Sequence, residues 1–407
     1  MSAPKAAQVP AAAAAPMQAP PPPAARIEFV KPASPRSSSF FEDGACASVS
    51  ERYERRDRIG EGTYGIIYRA WDRKRQRVVA LKRLLPHNES QDGFPLTSLR
   101  EVSVLRKLRG HANVVTFLDV AVGPRRDAVF LVLEYAEHGD LGALLDDRRL
   151  RNASRRRLFS EGEVKCLARQ LLLALRHCHD RYVAHRDVKV ANLLYTARGQ
   201  LKICDFGLAR VVSPQKIGDR ALTQNVVTLW YRAPELLLRA PRYGTPVDLW
   251  AAGCVVAEVL RDGKPLLDGE DERAQFAKIV ETLGAPSEAT WPGVSALPRV
   301  RDGGIPLPSP LFGGRRFCTL NVRVPDAPPA GLDFLQSLLC YDPALRASAS
   351  ETLQHAWFDD APRAPPLHLM PAFDLPAAVG PPAGAPKPPA RRTPPDARAP
   401  KRARAAR

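Results

Sequence analysis

Between Tyr53 and Glu134 short apolar runs alternate with polar breaks. Ile66 to Trp71, Val78 to Leu84, Val115 to Val122 and Val129 to Glu134 have the length and β-branched character of strands. One stretch among them differs: Leu99, Val102, Leu105 and Leu108 recur at the spacing of an amphipathic helix. Beyond Glu134 the pattern turns helical. Ser160 and Glu163 have the Ser-x-x-Glu form of a capping box, and Val164, Leu167, Leu171, Leu172, Leu175 and Cys178 then repeat along one face. The pattern predicts an α+β fold, with a small β-rich lobe over 53–134 that carries one helix and a larger α-helical lobe over 135–358. No internal repeat is present.

Composition sets the ends apart. Residues 1–50 are dominated by Ala, Pro and Ser, and residues 359–407 by Pro, Ala and Arg; neither can bury a core, so both are expected to be disordered extensions. The chain carries a net charge of +17, and from Pro381 onward eight Lys or Arg stand against one Asp. That tail has no aromatic residue from Asp374 on to stack against bases, so its charge does not argue for nucleic-acid binding. Arg391-Arg392 and Lys401, Arg402 and Arg404 form basic clusters of the kind import receptors read, or a tail that only solubilises the chain; a nuclear and cytoplasmic location is expected, with the nucleus favoured. No apolar run reaches the roughly 20 residues of a membrane span, and a soluble protein is expected. The seven cysteines are scattered without a Cys-x-x-Cys pair, as in a reducing compartment. The start lacks a secretory signal's order. Its acid-poor, Ala-rich composition leaves a transit peptide open, although only Lys5 is basic before Arg26.

The candidate chemistry begins at Gly60-Glu61-Gly62-Thr63-Tyr64-Gly65, where missing side chains let backbone N–H groups approach phosphate oxygens. A dinucleotide fold would need a helix after this turn. Ile66, Ile67 and Tyr68 instead continue as a strand, so the loop reads as the lid of a hairpin over a nucleotide. Val79-Ala80-Leu81-Lys82 follows on the next strand and Glu101 on the helix after it. His185-Arg186-Asp187-Val188-Lys189-Val190-Ala191-Asn192 fits H-R-D-x-x-x-x-N, Asp205-Phe206-Gly207 adds a carboxylate, and Ala233-Pro234-Glu235 closes the segment between. In this pattern Lys82 pairs with the α and β phosphates and Glu101 orients it; Asp187 accepts the substrate hydroxyl's proton, Lys189 lies near the γ-phosphate, and Asn192 and Asp205 hold magnesium. Any one of these residues alone would more often be a solvated surface group. Five motifs in order are another matter.

From Tyr53 to Phe358 the chain resembles the eukaryotic protein kinases, and its finer motifs resemble the cyclin-dependent kinases. Pro95 to Glu101 occupies the cyclin-binding helix and is similar to that of the branches numbered ten and eleven (the latter of PITSLRE type); Ile59 to Ala70, Phe159 to Cys166, Lys189 to Asn192 and Leu369 to Phe373 favour the branch numbered ten. The resemblance implies ATP and magnesium as cofactors, a cyclin-type partner, protein substrates with Ser-Pro or Thr-Pro sites, and an activating kinase for Thr223. Arg100, Arg186 and Arg210 match the arginines that gather around that phosphothreonine. Ile59, Ile67, Ala80 and Leu194 would sandwich adenine, with Leu133 at the back of the pocket and Glu134, Tyr135 and Ala136 as the hinge. Val226, Val227 and Arg232 match the pocket for the proline after the acceptor. Thr63 and Tyr64 match the inhibitory phosphorylation pair of the cell-cycle members, with a regulatory role and simple retention both open. Cys204, bordering the site, reads as a buried, inert thiol. Ser213-Pro214-Gln215-Lys216 reads as a substrate-like site in the chain's own activation segment, or as loop composition alone.

The sequence also departs from the family. Gly139 lengthens the exit from the hinge, which puts contacts of Asp140 in doubt. The six arginines of Arg148 to Arg157 form a longer loop, either a solvated one or a dock for an acidic partner, and from Arg299 to Pro329 the family pattern is lost. The rival readings are a catalytically dead scaffold that binds a cyclin-like partner, against which Lys82, Asp187 and Asp205 are all kept, and a small-metabolite kinase, against which the activation segment and cyclin helix speak.

Overall fold

The structure, a computed structural model, describes residues 46–62, 65–84, 96–123, 128–147, 157–212, 228–307 and 318–373. Thr63, Tyr64, Ser213, Thr223, Val226, Val227, most of the arginine-rich loop and the basic tail clusters lie outside the described residues.

The N-terminal lobe is a six-stranded sheet: β1 (Ala47–Ser48), β2 (Tyr53–Gly62), β3 (Gly65–Asp72), β4 (Arg77–Leu84), β5 (Phe117–Val122) and β6 (Val129–Glu134), in the order β1-β5-β6-β4-β3-β2. β1 runs parallel to β5 and the other pairs are antiparallel. Tyr53, Ala70, Val79, Leu81, Ala121, Phe130 and Val132 meet on one face as the lobe's buried core. The N-terminal extension was expected to run through residue 50. Instead β1 and the short helix α1 (Val49–Arg52) belong to this lobe, and Arg52 ties them down through Asp72 at 3.2 Å and Asp119 at 2.8 Å. A two-residue strand leaves no periodicity to read in the sequence.

Helix α2 (Leu96–Lys107) follows the sheet's third long strand. Val104 and Leu105 are buried on its inner side, whereas Leu99, expected on that face, is 53% exposed. Leu108 is buried but lies just beyond the helix. The run from Val115 becomes a strand only at Phe117, because Val115 donates its N–H to Ile203 of the other lobe instead, at 2.9 Å.

The C-terminal lobe is built on α3 (Leu141–Asp146), α4 (Glu161–His179), α5 (Pro234–Leu237), α6 (Pro246–Leu260) and α7 (Glu272–Leu283). Ser160 and Glu163 form the expected capping box at the start of α4, with the Ser160 N–H donated to Glu163 Oε2 at 2.7 Å. All six residues of the predicted apolar face are buried. The stretch that could not be followed holds α8 (Pro298–Arg301) and α9 (Leu320–Arg323), before α10 (Pro329–Leu338) and α11 (Ala349–Thr352). No helix among the described residues is long and apolar enough to cross a membrane.

The C-terminal extension also begins later than its composition suggests. Residues 359–373 run back over the lobe as a strap. Lys165, fully buried, donates to the carbonyls of Asp360 and Pro362 at 3.0 and 3.1 Å, and the Tyr195 hydroxyl donates to Pro371 at 2.8 Å. Phe373 completes an aromatic cluster with His138, Phe159 and Tyr195, ring centroids 5.5 to 5.9 Å apart.

Candidate active site

The glycine-rich motif spans the ends of two paired antiparallel strands: β2 ends at Gly62 and β3 begins at Gly65, paired to each other. Gly65 is required by close approach, since a Cβ there would stand 2.1 Å from the carbonyl oxygen of Arg83. The strand that continues from it matches the lid reading and not a dinucleotide fold. Beneath the hairpin, Ala80 pairs with Leu133 and Val79 with Glu134, so the expected back wall and hinge adjoin β4. Ala80, Leu133 and Ala136 are buried, Ile67, Glu134, Tyr135 and Leu194 half-buried, and Ile59 more open. The extra residue at Gly139 adopts φ of +73°, and Tyr195 donates its N–H to the Gly139 carbonyl at 2.9 Å. The Asp140 side chain is committed to capping α3 through the Ala143 N–H at 2.9 Å.

Lys82 lies between two carboxylates. Its Nζ is 2.7 Å from Glu101 Oε1 and 2.8 Å from Asp205 Oδ1. Burial works against the ammonium, but Glu101 and Asp205 more than reverse this and hold the Lys82 pKa above its ordinary value. Burial likewise opposes ionisation of Asp205, and Lys82 outweighs it and keeps the carboxyl below the usual range. Burial raises the Glu101 pKa, and Lys82 offsets only part of that. A cation fixed by strand and helix together is preorganised to receive an anionic group.

The second cluster lies on the loop after β7 (Val183–Ala184). Asp187 Oδ2 is 2.9 Å from Lys189 Nζ and accepts the Asn192 amide N–H at 2.9 Å. That amide nitrogen also donates to the Asp187 carbonyl at 2.7 Å. Asn192 is therefore oriented with its nitrogen spent on Asp187, which leaves its Oδ1 as the atom for a cation. Asp205, on the turn between β8 (Leu201–Ile203) and β9 (Arg210–Val211), uses Oδ1 on Lys82 and keeps Oδ2. One carboxylate oxygen and one amide oxygen, with phosphate and water oxygens, make a donor set that fits magnesium. Cys204 N–H donates to the Asn192 carbonyl at 3.0 Å, which links the two loops. Burial, with the Asp205 carboxylate beside it, pushes the Cys204 thiol pKa up, in keeping with an inert role.

Three supports went unassigned in the sequence. Thr228 accepts a hydrogen bond from Lys189 Nζ at 2.8 Å and donates its hydroxyl to Asp187 Oδ1 at 3.2 Å. Asp248, fully buried on α6, accepts the backbone N–H groups of His185 and Arg186 at 2.8 and 2.7 Å. Glu235 of the Ala-Pro-Glu motif forms a buried two-point pair with Arg346 at 2.8 and 3.0 Å. Of the three expected phosphate-binding arginines, Arg186 lies with its guanidinium 5.4 Å from the Tyr243 ring centre and donates to the Leu208 carbonyl at 3.3 Å. Arg210 also lies close enough to Tyr243 to act on its hydroxyl, while Arg100 is half-buried on α2 beside Glu101. Arg232, expected at the proline pocket, is buried and 2.6 Å from Glu272.

The comparisons with known proteins agree with this geometry. The model of the protein kinase domain matches residues 53–358. Cyclin-dependent kinase 10 of Rattus norvegicus is 42% identical over 337 residues, covering 83% of this chain and 88% of that protein. Cyclin-dependent kinase G-2 of Oryza sativa subsp. indica is 42% identical over 358 residues, and the chain spans about half of it, 47%. The serine/threonine-protein kinase PITSLRE of Drosophila melanogaster is 44% identical over 319 residues, 78% of this chain and 32% of that protein. Among solved structures, a chain of the CAK complex from Chaetomium thermophilum bound to ATP-gamma-S aligns with a TM-score of 0.70 at 33% identity, covering 80% of this chain and 96% of that one. With the lysine clamp, the catalytic loop and these relatives all in agreement, the chain belongs to the protein kinase family, in its cyclin-dependent branch.

Proposed function

We propose that this chain is an ATP- and magnesium-dependent serine/threonine protein kinase, activated by a cyclin-type partner and by phosphorylation of Thr223, acting on Ser-Pro and Thr-Pro sites. The observation that carries the reading is the Lys82 ammonium held at hydrogen-bonding distance from both Glu101 and Asp205. In the reaction Lys82 holds the α and β phosphates, and Asp205 with Asn192 Oδ1 would hold magnesium, which supplies positive charge between the phosphate groups. Asp187 orients the substrate hydroxyl and accepts its proton as the oxygen attacks the γ-phosphorus and the bond from that phosphorus to the β–γ bridging oxygen breaks, with ADP as the leaving group. Lys189 and Thr228 steady the Asp187 carboxylate.

Activation rests on α2. Its inner side carries Glu101, and its exposed Leu99 offers an apolar contact on the outer side, the place for a partner that holds the helix inward. A phosphate on Thr223 would take charge-assisted hydrogen bonds from Arg100, Arg186 and Arg210, joining helix, catalytic loop and activation segment. The test is affinity capture of the full chain, identification of the cyclin that co-purifies, and peptide phosphorylation by wild type and Thr223→Ala at saturating cyclin. The reading expects low activity without cyclin and a marked loss in the variant; equal activity of the two would remove the phosphothreonine from it.

A further inference from the structure

The turn Leu229–Tyr231 and the Arg232 that follows it are gripped by the first turns of α7 at two points. Gln275 accepts the Gly269 N–H at 2.8 Å and donates its amide to the Trp230 carbonyl at 3.1 Å, while the Trp230 indole donates to the Gly269 carbonyl at 3.1 Å. Gly269 has no room for a side chain, since a Cβ there would stand 2.3 Å from the Gln275 nitrogen. The second grip is Glu272, whose Oε1 accepts from Arg232 Nη1 at 2.6 Å and whose Oε2 accepts from Arg299 Nη2 at 3.1 Å.

Arg299 comes from α8, in the stretch the sequence could not align. It is firmly seated: its N–H donates to the Leu238 carbonyl at 3.2 Å and its carbonyl accepts the Ile305 N–H at 2.8 Å. Gly304 closes over the side chain, where a Cβ would stand 2.7 Å from Arg299 Nη1. The terminal torsion of a glutamate is soft, so a carboxylate held at one oxygen can swing. Held at both oxygens by guanidinium groups, its plane is fixed. Arg232 needs that constancy, because it is only 7% exposed and burial disfavours its charge.

We propose that Arg299 is a positioning residue for proline selectivity: it fixes the Glu272 carboxylate, and Glu272 in turn presents Arg232 in a single orientation to the residue that follows the phosphoacceptor. The inference rests on the proline-directed reading given above. It gives the divergent segment a role, as the strut under the substrate-facing turn.

The test uses the full chain purified from its source cells with its bound partner, and two peptides that differ only in proline or alanine after the serine. Wild type should prefer the proline peptide. Arg299→Ala should lose about fivefold or more of that preference in the ratio of kcat/KM values, with the alanine peptide little affected, and Arg299→Lys should recover part of it. Hydrogen exchange supplies a readout independent of activity: amides of residues 229–232 should exchange faster in Arg299→Ala than in wild type. A wild-type preference left intact in Arg299→Ala, with unchanged exchange over those residues, would overturn the inference and leave the proline-directed reading standing. A wild type indifferent to proline would overturn that reading and this inference with it.

Discussion

Asp248 receives the backbone N–H of Arg186 at 2.7 Å, across 62 residues of sequence, while Arg186 is held at φ of +70°. The left-handed conformation is costly for a residue with a side chain and persists only where its surroundings enforce it. Asp248 does so by also accepting the His185 N–H at 2.8 Å and the His179 ring at 2.9 Å, so the loop that aims Asp187 hangs from one buried carboxylate. Replacing it with alanine leaves several buried donors unpaired. Asp248→Ala should lose about 3 kcal/mol of stability, read from urea denaturation, together with most phosphotransfer.

Thr228 bridges Lys189 and Asp187 through its hydroxyl, while its backbone N–H, which a side-chain substitution leaves in place, also donates to Asp187 Oδ1 at 3.5 Å. Thr228→Ala should lower kcat by about 10- to 100-fold while the denaturation midpoint stays near wild type, and Thr228→Ser, which keeps the hydroxyl, should retain most of the rate. Equal kinetics for the alanine and serine variants would count against the bridge.

Glu258 on α6 accepts a hydrogen bond from the Tyr231 hydroxyl of the turn Leu229–Tyr231 at 2.7 Å. Burial pushes its pKa from 4.5 to about 7. A carboxyl whose folded pKa is raised binds its proton more tightly in the folded state. Its contribution is therefore full below about pH 4.5 and is lost as pH rises through about 7, an effect of about 3 kcal/mol. Glu258→Gln keeps an acceptor for Tyr231 without the charge, so denaturation at pH 8 should find it more stable than wild type, with the gap closing near pH 5.

The strap makes a direct prediction about chain length. Truncation after Phe373 should leave the melting temperature near that of the full chain, whereas truncation after Phe358 should lower it by several degrees. The shorter chain loses the carbonyls that satisfy buried Lys165 and the ring that packs on His138 and Tyr195. Similar melting of the two truncations would show that the strap contributes little.

The positions of Lys82, Asp187, Asn192 and Asp205, which the fold brings together, were legible because each sits in a short motif whose residue types suit phosphate and magnesium chemistry, and that of Glu101 from its place on the helix after the Lys82 strand. Asp248, Thr228 and Arg346 were not, because each acts on a partner far away in sequence and carries no local pattern. The strap was misread for a different reason. Its Pro-rich composition buries little apolar surface, but here order comes from backbone carbonyls that answer a buried lysine and a tyrosine, and from Met370 and Phe373 at its end. Leu99 fitted the helix period and still faces outward, since periodicity places a residue on a stripe without saying which edge of that stripe is covered.

The central claim is that these residues carry out phosphotransfer, with Asp187 as the proton acceptor. Its most direct test is transfer of the labelled γ-phosphate from ATP to a Ser-Pro peptide by the full chain, together with any cyclin-type partner that co-purifies, in magnesium, for wild type and Asp187→Asn side by side. The account predicts label on the serine in wild type and a fall of about 10²- to 10⁴-fold in the variant, with the fold intact by circular dichroism. Wild-type transfer by Asp187→Asn would contradict it.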